Sequence, residues 1–318
     1  VSDRPPDAPS EAPSGVADGR PVWHQDQAAG LRRLFKQPKK SLTLAFVSAM
    51  PGSGTSRLAA RLALALAHGQ ESVLLVDEHG GARNLAAIMG TAFRFDLVQA
   101  FGGGLPMEQA LVAPTANLRL LLAAKAVRRL AEDEVEGRRQ LAACLGSTWR
   151  RQSFVLTDAR VEEGGHPLSV LARASSHVVL VLGGGTAAVT ATYLLAKRLV
   201  AAMPTARLLV LVSRVRDEQE ARGIFSNLAG VARLHLGVEL GWLGWVPQDP
   251  GWRDGVASAM AAGSADRACE GLALALRQLA GVGDGENRPG TNKTHGAGDG
   301  RVAAVSGLGR GTSGGIAA

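Results

Sequence analysis

Aromatic side chains are scarce, 4% of the 318 residues, so the interior has to be built from aliphatic ones, chiefly Leu, Val and Ala. Cysteine is nearly missing as well. Cys144 and Cys269 lie far apart in helical patterns, too few for a disulfide framework and without metal-ligand spacing, which indicates a reducing compartment. No apolar run reaches the length of a membrane span, and the N-terminal stretch does not have the pattern of a signal peptide. A cytoplasmic protein is therefore expected, peripheral to the inner face of the membrane through partners at most. The chain starts at Val1 and not Met, so residues are expected to precede it. What is present, 46% hydrophobic and 20% charged residues, is the balance of a globular chain with one sizeable core.

The charge is one-sided, +7 with a sequence pI near 10.1, which favours acidic partners. The basic residues are scattered, however, apart from the modest group Arg32, Arg33, Lys36, Lys39 and Lys40. Direct DNA binding is not expected from such a distribution.

Residues 1–22 are rich in Pro, Ser and Asp without periodicity and read as a disordered lead. Ala28, Leu31, Leu34 and Phe35 then recur at helical spacing behind Asp26, a plausible cap, and the spacer Gln37 to Lys40 follows. Residues 23–40 thus read as an amphipathic helix and linker standing outside the main domain. From Ser41 the pattern alternates. Strands are expected at Leu42–Val47, Ser72–Asp77, Leu118–Leu122, Phe154–Asp158, His177–Leu182, Arg207–Val212 and Leu243–Val246. Helices are expected between them, including Ser56–His68, a charged one over Glu132–Trp149, and Ala265–Leu279. Continuous apolar strands separated by amphipathic helices imply an α/β fold, a mainly parallel doubly wound sheet over residues 41–280. Residues 281–318 are a Gly-rich tail with little to pack.

Met50-Pro51-Gly52-Ser53-Gly54-Thr55-Ser56 sits between the first strand and the first helix, where a phosphate loop belongs. Glycines let backbone amides close around a phosphate, and the helix N-terminus adds a favourable dipole. Gly52, Ser53, Gly54, Thr55 and Ser56 are the candidate nucleotide contacts. Ser56 and Asp158, the latter at the end of a strand, are the candidate Mg²⁺ positions. A full phosphate loop needs a lysine before its Ser/Thr, and that position is Thr55.

Three segments in order resemble the MinD/ParA ATPases. Val47 to Ser56 is similar to their deviant Walker A, SGKGGVGKT. Val76-Asp77-Glu78-His79-Gly80-Gly81-Ala82-Arg83-Asn84-Leu85 is similar to the switch VDADLGLANL, and Val155-Leu156-Thr157-Asp158 to the Walker B strand. Further segments resemble the flagellar number regulators of that class, the FlhG/FleN family. Asp26-Gln27-Ala28-Ala29-Gly30-Leu31-Arg32 follows their DQAxxLR element, Leu236 to Pro247 their LGVxLxYLGxIP run, and Ser213 to Ala221 their NRVRSEEEA.

The resemblance, over roughly residues 26–280, implies an ATPase scaffold that switches between monomer and membrane-bound dimer and limits flagellar number. It implies an N-terminal helix that docks on an FlhF-type, SRP-class GTPase and stimulates GTP hydrolysis. On that likeness Gln27 approaches the partner's nucleotide, Asp26 and Arg32 fix the helix, and Leu31 anchors it beside Ala28. A flagellar transcription regulator and switch-complex proteins are the other implied partners.

The departures are as informative. The signature lysine falls on Met50, the Walker lysine on Thr55, and the water-positioning aspartate on His79. Phosphoryl transfer depends on charge placed around the γ-phosphate. ATP hydrolysis is therefore expected to be lost or weak, ATP/Mg binding is in doubt, no catalytic residue is assigned, and His79 is expected at the surface. Membrane attachment is expected to be weak, because the Ala265–Leu279 helix has few cations and its Leu272, Leu276 and Leu279 suit packing on the domain. Two alternatives stand beside this reading. One is a slow but genuine MinD-type ATPase switch, the other a ParA-like protein of cellulose synthesis or pilus placement.

Overall fold

The computed structural model describes residues 41–81, 84–132, 134–249 and 264–282. Residues 1–40, with the DQAxxLR segment and its candidate contacts Asp26, Gln27, Ala28, Leu31 and Arg32, lie outside the described residues, as does the Gly-rich tail from 283.

The expected alternation is present. The strands are β1 (Leu42–Val47), β2 (Val73–Asp77), β3 (Leu111–Thr115), β4 (Leu118–Leu122), β5 (Phe154–Asp158), β6 (His177–Leu182), β7 (Arg207–Val215) and β8 (Gly241–Pro247). The helices are α1 (Thr55–His68), α2 (Leu85–Ile88), α3 (Met107–Ala110), α4 (Ala124–Glu132), α5 (Glu134–Arg150), α6 (Thr186–Ala202), α7 (Glu218–Leu236) and α8 (Ser264–Val282). One eight-stranded sheet runs in the order β3-β4-β2-β5-β1-β6-β7-β8. All of its pairings are parallel except β3 with β4.

Two features differ from the sequence expectation. The antiparallel edge strand β3 was not foreseen, because its residues, half-buried Leu111, Val112, Pro114 and Thr115 around exposed Ala113, follow neither a buried-strand nor an alternating pattern. The charged helix expected over Glu132–Trp149 is α5, and a further helix that was not expected, α4, precedes it. The Ala/Arg-rich stretch of α4 runs straight into the charged pattern of α5, so periodicity alone did not mark it as a helix of its own.

The period of two along β1 sends Leu44 and Phe46 into one core and Ala45 and Val47 into another on the opposite face. The first core is closed by α1 and α8, which bury Leu58, Leu62 and Leu66 against Cys269, Leu272 and Leu276. Each such leucine contributes about 2 kcal/mol when fully buried. The second core lies under α6 and α7, and a third, around Leu74, Val76 and Leu121, under α4 and α5. Along the sheet the chain runs one way from β1 to β2 and β4, then returns through β5 and continues the other way to β6, β7 and β8. Such a reversal leaves a crevice at the carboxyl ends of the central strands, where open α/β sheets bind ligands.

Candidate phosphate-binding site

The loop Met50 to Gly54 crosses that crevice from β1 to α1. Gly52 and Gly54 hold φ of 76° and 85°, left-handed values that a Cβ would strain. Nothing lies within 4 Å of a Cβ built on Gly52, so its side faces open space. The loop is pinned from β7, where the Arg214 guanidinium donates to Gly52 O at 2.8 Å and the Ser213 hydroxyl to Ser53 O at 3.2 Å. Arg214 has φ of 61°, a conformation that costs about 1 kcal/mol or more and persists only where the surroundings fix it. Among the described residues, the amides from Gly52 to Arg57 donate to no protein atom, and the first intrahelical bond runs from Leu58 N to Gly54 O at 2.9 Å. A run of unpartnered amides at a helix N-terminus is an anion cradle.

The side chains at the three departures occupy distinct places. Met50 is 42% exposed. The Thr55 hydroxyl is tied to that of Ser53 at 2.7 Å. His79, expected at the surface, is part-exposed but also faces the site. It lines the loop cavity with its Nε2 3.6 Å from Asp158 Oδ1 and its side chain 40% exposed. The switch segment carries it inward because its own amide donates to Asp77 Oδ1 at 2.8 Å. Burial holds its pKa below the usual imidazole range, against the pull of Asp77 and with the help of Arg160. A neutral imidazole is no substitute for a lysine.

Beneath the loop lie three buried carboxyl groups. Asp77 accepts from the amides of His79 and Leu85, at 2.8 and 2.6 Å, and so spends both oxygens on shaping the switch segment. Glu78 accepts from the Ser169 hydroxyl and from Arg160 N at 3.1 Å. Asp158, wholly buried, has no formed hydrogen bond to either oxygen. Burial pushes all three up to about 7. The charge of Asp158 adds to the rise at Asp77, and the nearby Ser56 hydroxyl pulls Asp158 the other way.

The sequence expectation placed Gly52, Ser53, Gly54, Thr55, Ser56 and Asp158 at one site, and the fold brings them together. It missed Glu78, Arg57, Arg160 and Arg198, the arginines all lining a cavity of about 930 Å³ over the loop. Arg57 directly follows Ser56 and could have been found from that adjacency. Arg198 comes from α6 and carried no sequence signal. Free amides suit a phosphate, and an orphaned carboxylate beside a hydroxyl suits its magnesium, so the residues present fit an ATP/Mg group. Ser56 and Asp158 would hold the metal, which when bound screens phosphate charge. No cluster of three or more His, Cys, Asp or Glu among the described residues could hold a metal unaided.

No family model matches the chain. It is 25% identical over 205 residues to the antiactivator FleN of Pseudomonas aeruginosa, spanning 64% of this chain and 73% of FleN. Among solved structures, the MinD cell division protein of Aquifex aeolicus superposes with a TM-score of 0.58 at 20% identity, over 78% of this chain and 99% of that one. MinD of Pyrococcus horikoshii in complex with Mg-ADP gives 0.58 at 21% identity, over 76% and 98%. In fold the chain is of the MinD/ParA P-loop type, and in sequence it is FleN-like.

Proposed function

We propose that this chain is a regulator of flagellar number that works by engaging partners and not by turning over ATP. One observation carries the reading. The cradle is intact in its backbone, but the positions that would place charge on a γ-phosphate and orient water hold exposed Met50, hydrogen-bonded Thr55 and a neutral His79. Nucleotide is then a ligand that the site holds, and the output passes through protein contacts. The antiactivator role of FleN supports a flagellar transcription regulator as one partner. The DQAxxLR likeness supports an FlhF-type GTPase as the other.

Two measurements test this. The full chain should raise GTP hydrolysis by an FlhF-type GTPase, and Gln27→Ala should cut that stimulation at least tenfold with binding within twofold. Leu31→Asp should remove both, because it puts a charge on the apolar face that docks. A parent chain that neither binds nor stimulates overturns the GTPase assignment. Sedimentation with ATP and Mg²⁺ should show no shift to dimer, since Met50 offers a facing subunit's phosphate no charge. A nucleotide-dependent dimer, or steady ATP turnover, makes the chain a slow switch instead.

A further inference from the structure

We propose that Arg57 and Arg160 supply the positive charge for the phosphates of a nucleoside di- or triphosphate here, in place of the lysines absent at positions 50 and 55. The inference rests on reading the site as one that holds nucleotide. Both residues line the loop cavity, and neither belongs to the motifs that define the loop.

Arg57 is the third residue of α1 and is half-buried. Among the described residues its guanidinium has no hydrogen-bond or ion-pair partner. A half-buried arginine packs its stem and keeps its charged head free to meet a ligand. Helical side chains lean towards the N-terminus, which in α1 is the amide cradle. Arg160 approaches from the neighbouring strand. β5 pairs with β1 in the register Phe46↔Asp158, and Arg160 follows two residues beyond. Its amide is fixed to Glu78 Oε2 at 3.1 Å, its side chain is exposed, and its charge reaches His79 on the cavity wall. Arg198 lines the same cavity but donates to Glu162 O at 2.7 Å, which makes it part of the wall.

The ligand class follows from this layout. The cradle amides take one phosphate group, so two arginines flanking it call for more than one. A planar guanidinium binds phosphate oxygens in pairs, where lysine binds as a point charge. Glu163 on the wall and the carboxylate of Asp158 beneath favour an anion that brings its own divalent cation. The cavity volume is within the range of small-molecule sites.

Calorimetry on the full chain with Mg-ATP, Mg-ADP and Mg-pyrophosphate tests the proposal, with melting curves to verify the fold of each variant. Arg57→Ala and Arg160→Ala should each weaken Mg-ATP binding at least tenfold at unchanged melting temperature, and together about a hundredfold. A parent that binds Mg-ATP and variants that bind it within twofold overturn the inference and leave the nucleotide reading standing. A parent that binds no nucleotide overturns both. Pyrophosphate binding as tight as that of ATP overturns the nucleoside assignment.

Discussion

Asp266→Ala is expected to lower the melting temperature by about 6–12 °C and to make Cys269 accessible to thiol reagents. The Arg61 side chain, on α1, is 4% exposed and donates to Asp266, the 26% exposed carboxylate in the first turn of α8. Removing one partner of such a pair costs up to about 3 kcal/mol, because the other charge stays buried and loses the carboxylate facing it. For a domain of this size that is a shift of several degrees. The consequence is local as well as global, since α8 covers α1 and β8 and buries Cys269 at 1% exposure, with Leu272 and Leu276 beside it. Burial pushes the Cys269 thiol up to about 12, so in the parent it is inert to alkylation at neutral pH. Rapid labelling in the variant but not in the parent reports that α8 has loosened. Replacing both partners, Arg61→Met with Asp266→Leu, should recover most of the loss, because no charge is then left uncompensated. A single variant as stable as the parent, with Cys269 still protected, would show that apolar contacts alone hold α8.

Sequence alone made the fold legible where strands are buried on both faces. In β1, β2, β5 and β6 every or nearly every residue is buried, and each appears as a short, mostly apolar run. It was least legible at the sheet edge, where β3 is half-wet and its residues answer to no single face. At the site, the phosphate loop was visible because glycine and small hydroxyl residues in a strand-to-helix turn have a specific geometric purpose. Asp77 and Asp158 could be placed, since each closes a strand. That Asp77 spends both oxygens on the amides of His79 and Leu85, while Asp158 is left with no formed hydrogen bond, depends on how the switch segment folds back. No spacing encodes that. The same folding back draws His79 into the cavity, although as a lone polar residue in a Gly-rich stretch it reads as exposed. The arginines escaped notice because in a chain with 35 Lys and Arg a basic residue carries little information until the fold brings it to a cavity.

Asp158→Asn is expected to raise the melting temperature by about 5–10 °C at pH 8 without magnesium, and to change it little near pH 3.5. Asp158 is wholly buried, and in the folded chain burial pushes its carboxyl up to about 7 from an ordinary value of 3.8. Below that ordinary value both folded and unfolded chains carry the proton, and the group contributes no pH dependence. Between the two values the unfolded chain ionises while the folded chain keeps its proton, so stability falls as pH rises. Above about 7 the folded chain must also carry the charge, and the deficit is then complete. Asparagine has nearly the same shape and no charge, so the advantage of the variant opens above pH 4 and levels off near pH 8. Two imidazoles act in the opposite sense. Burial lowers the pKa of both His79 and His177, and their contribution is lost as pH falls below 6.5, so taking the difference between variant and parent at each pH isolates the carboxylate. Asp77 and Glu78 are raised for the same reason of burial and remain in the variant, which should therefore keep part of the slope. The amide would also weaken any magnesium dependence of nucleotide binding at this site, because the buried carboxylate that, among the described residues, is left without a hydrogen bond is gone. A variant no more stable than the parent at pH 8 would mean that Asp158 is solvated or paired in solution, and the case for a cation at the floor of the cavity would go with it.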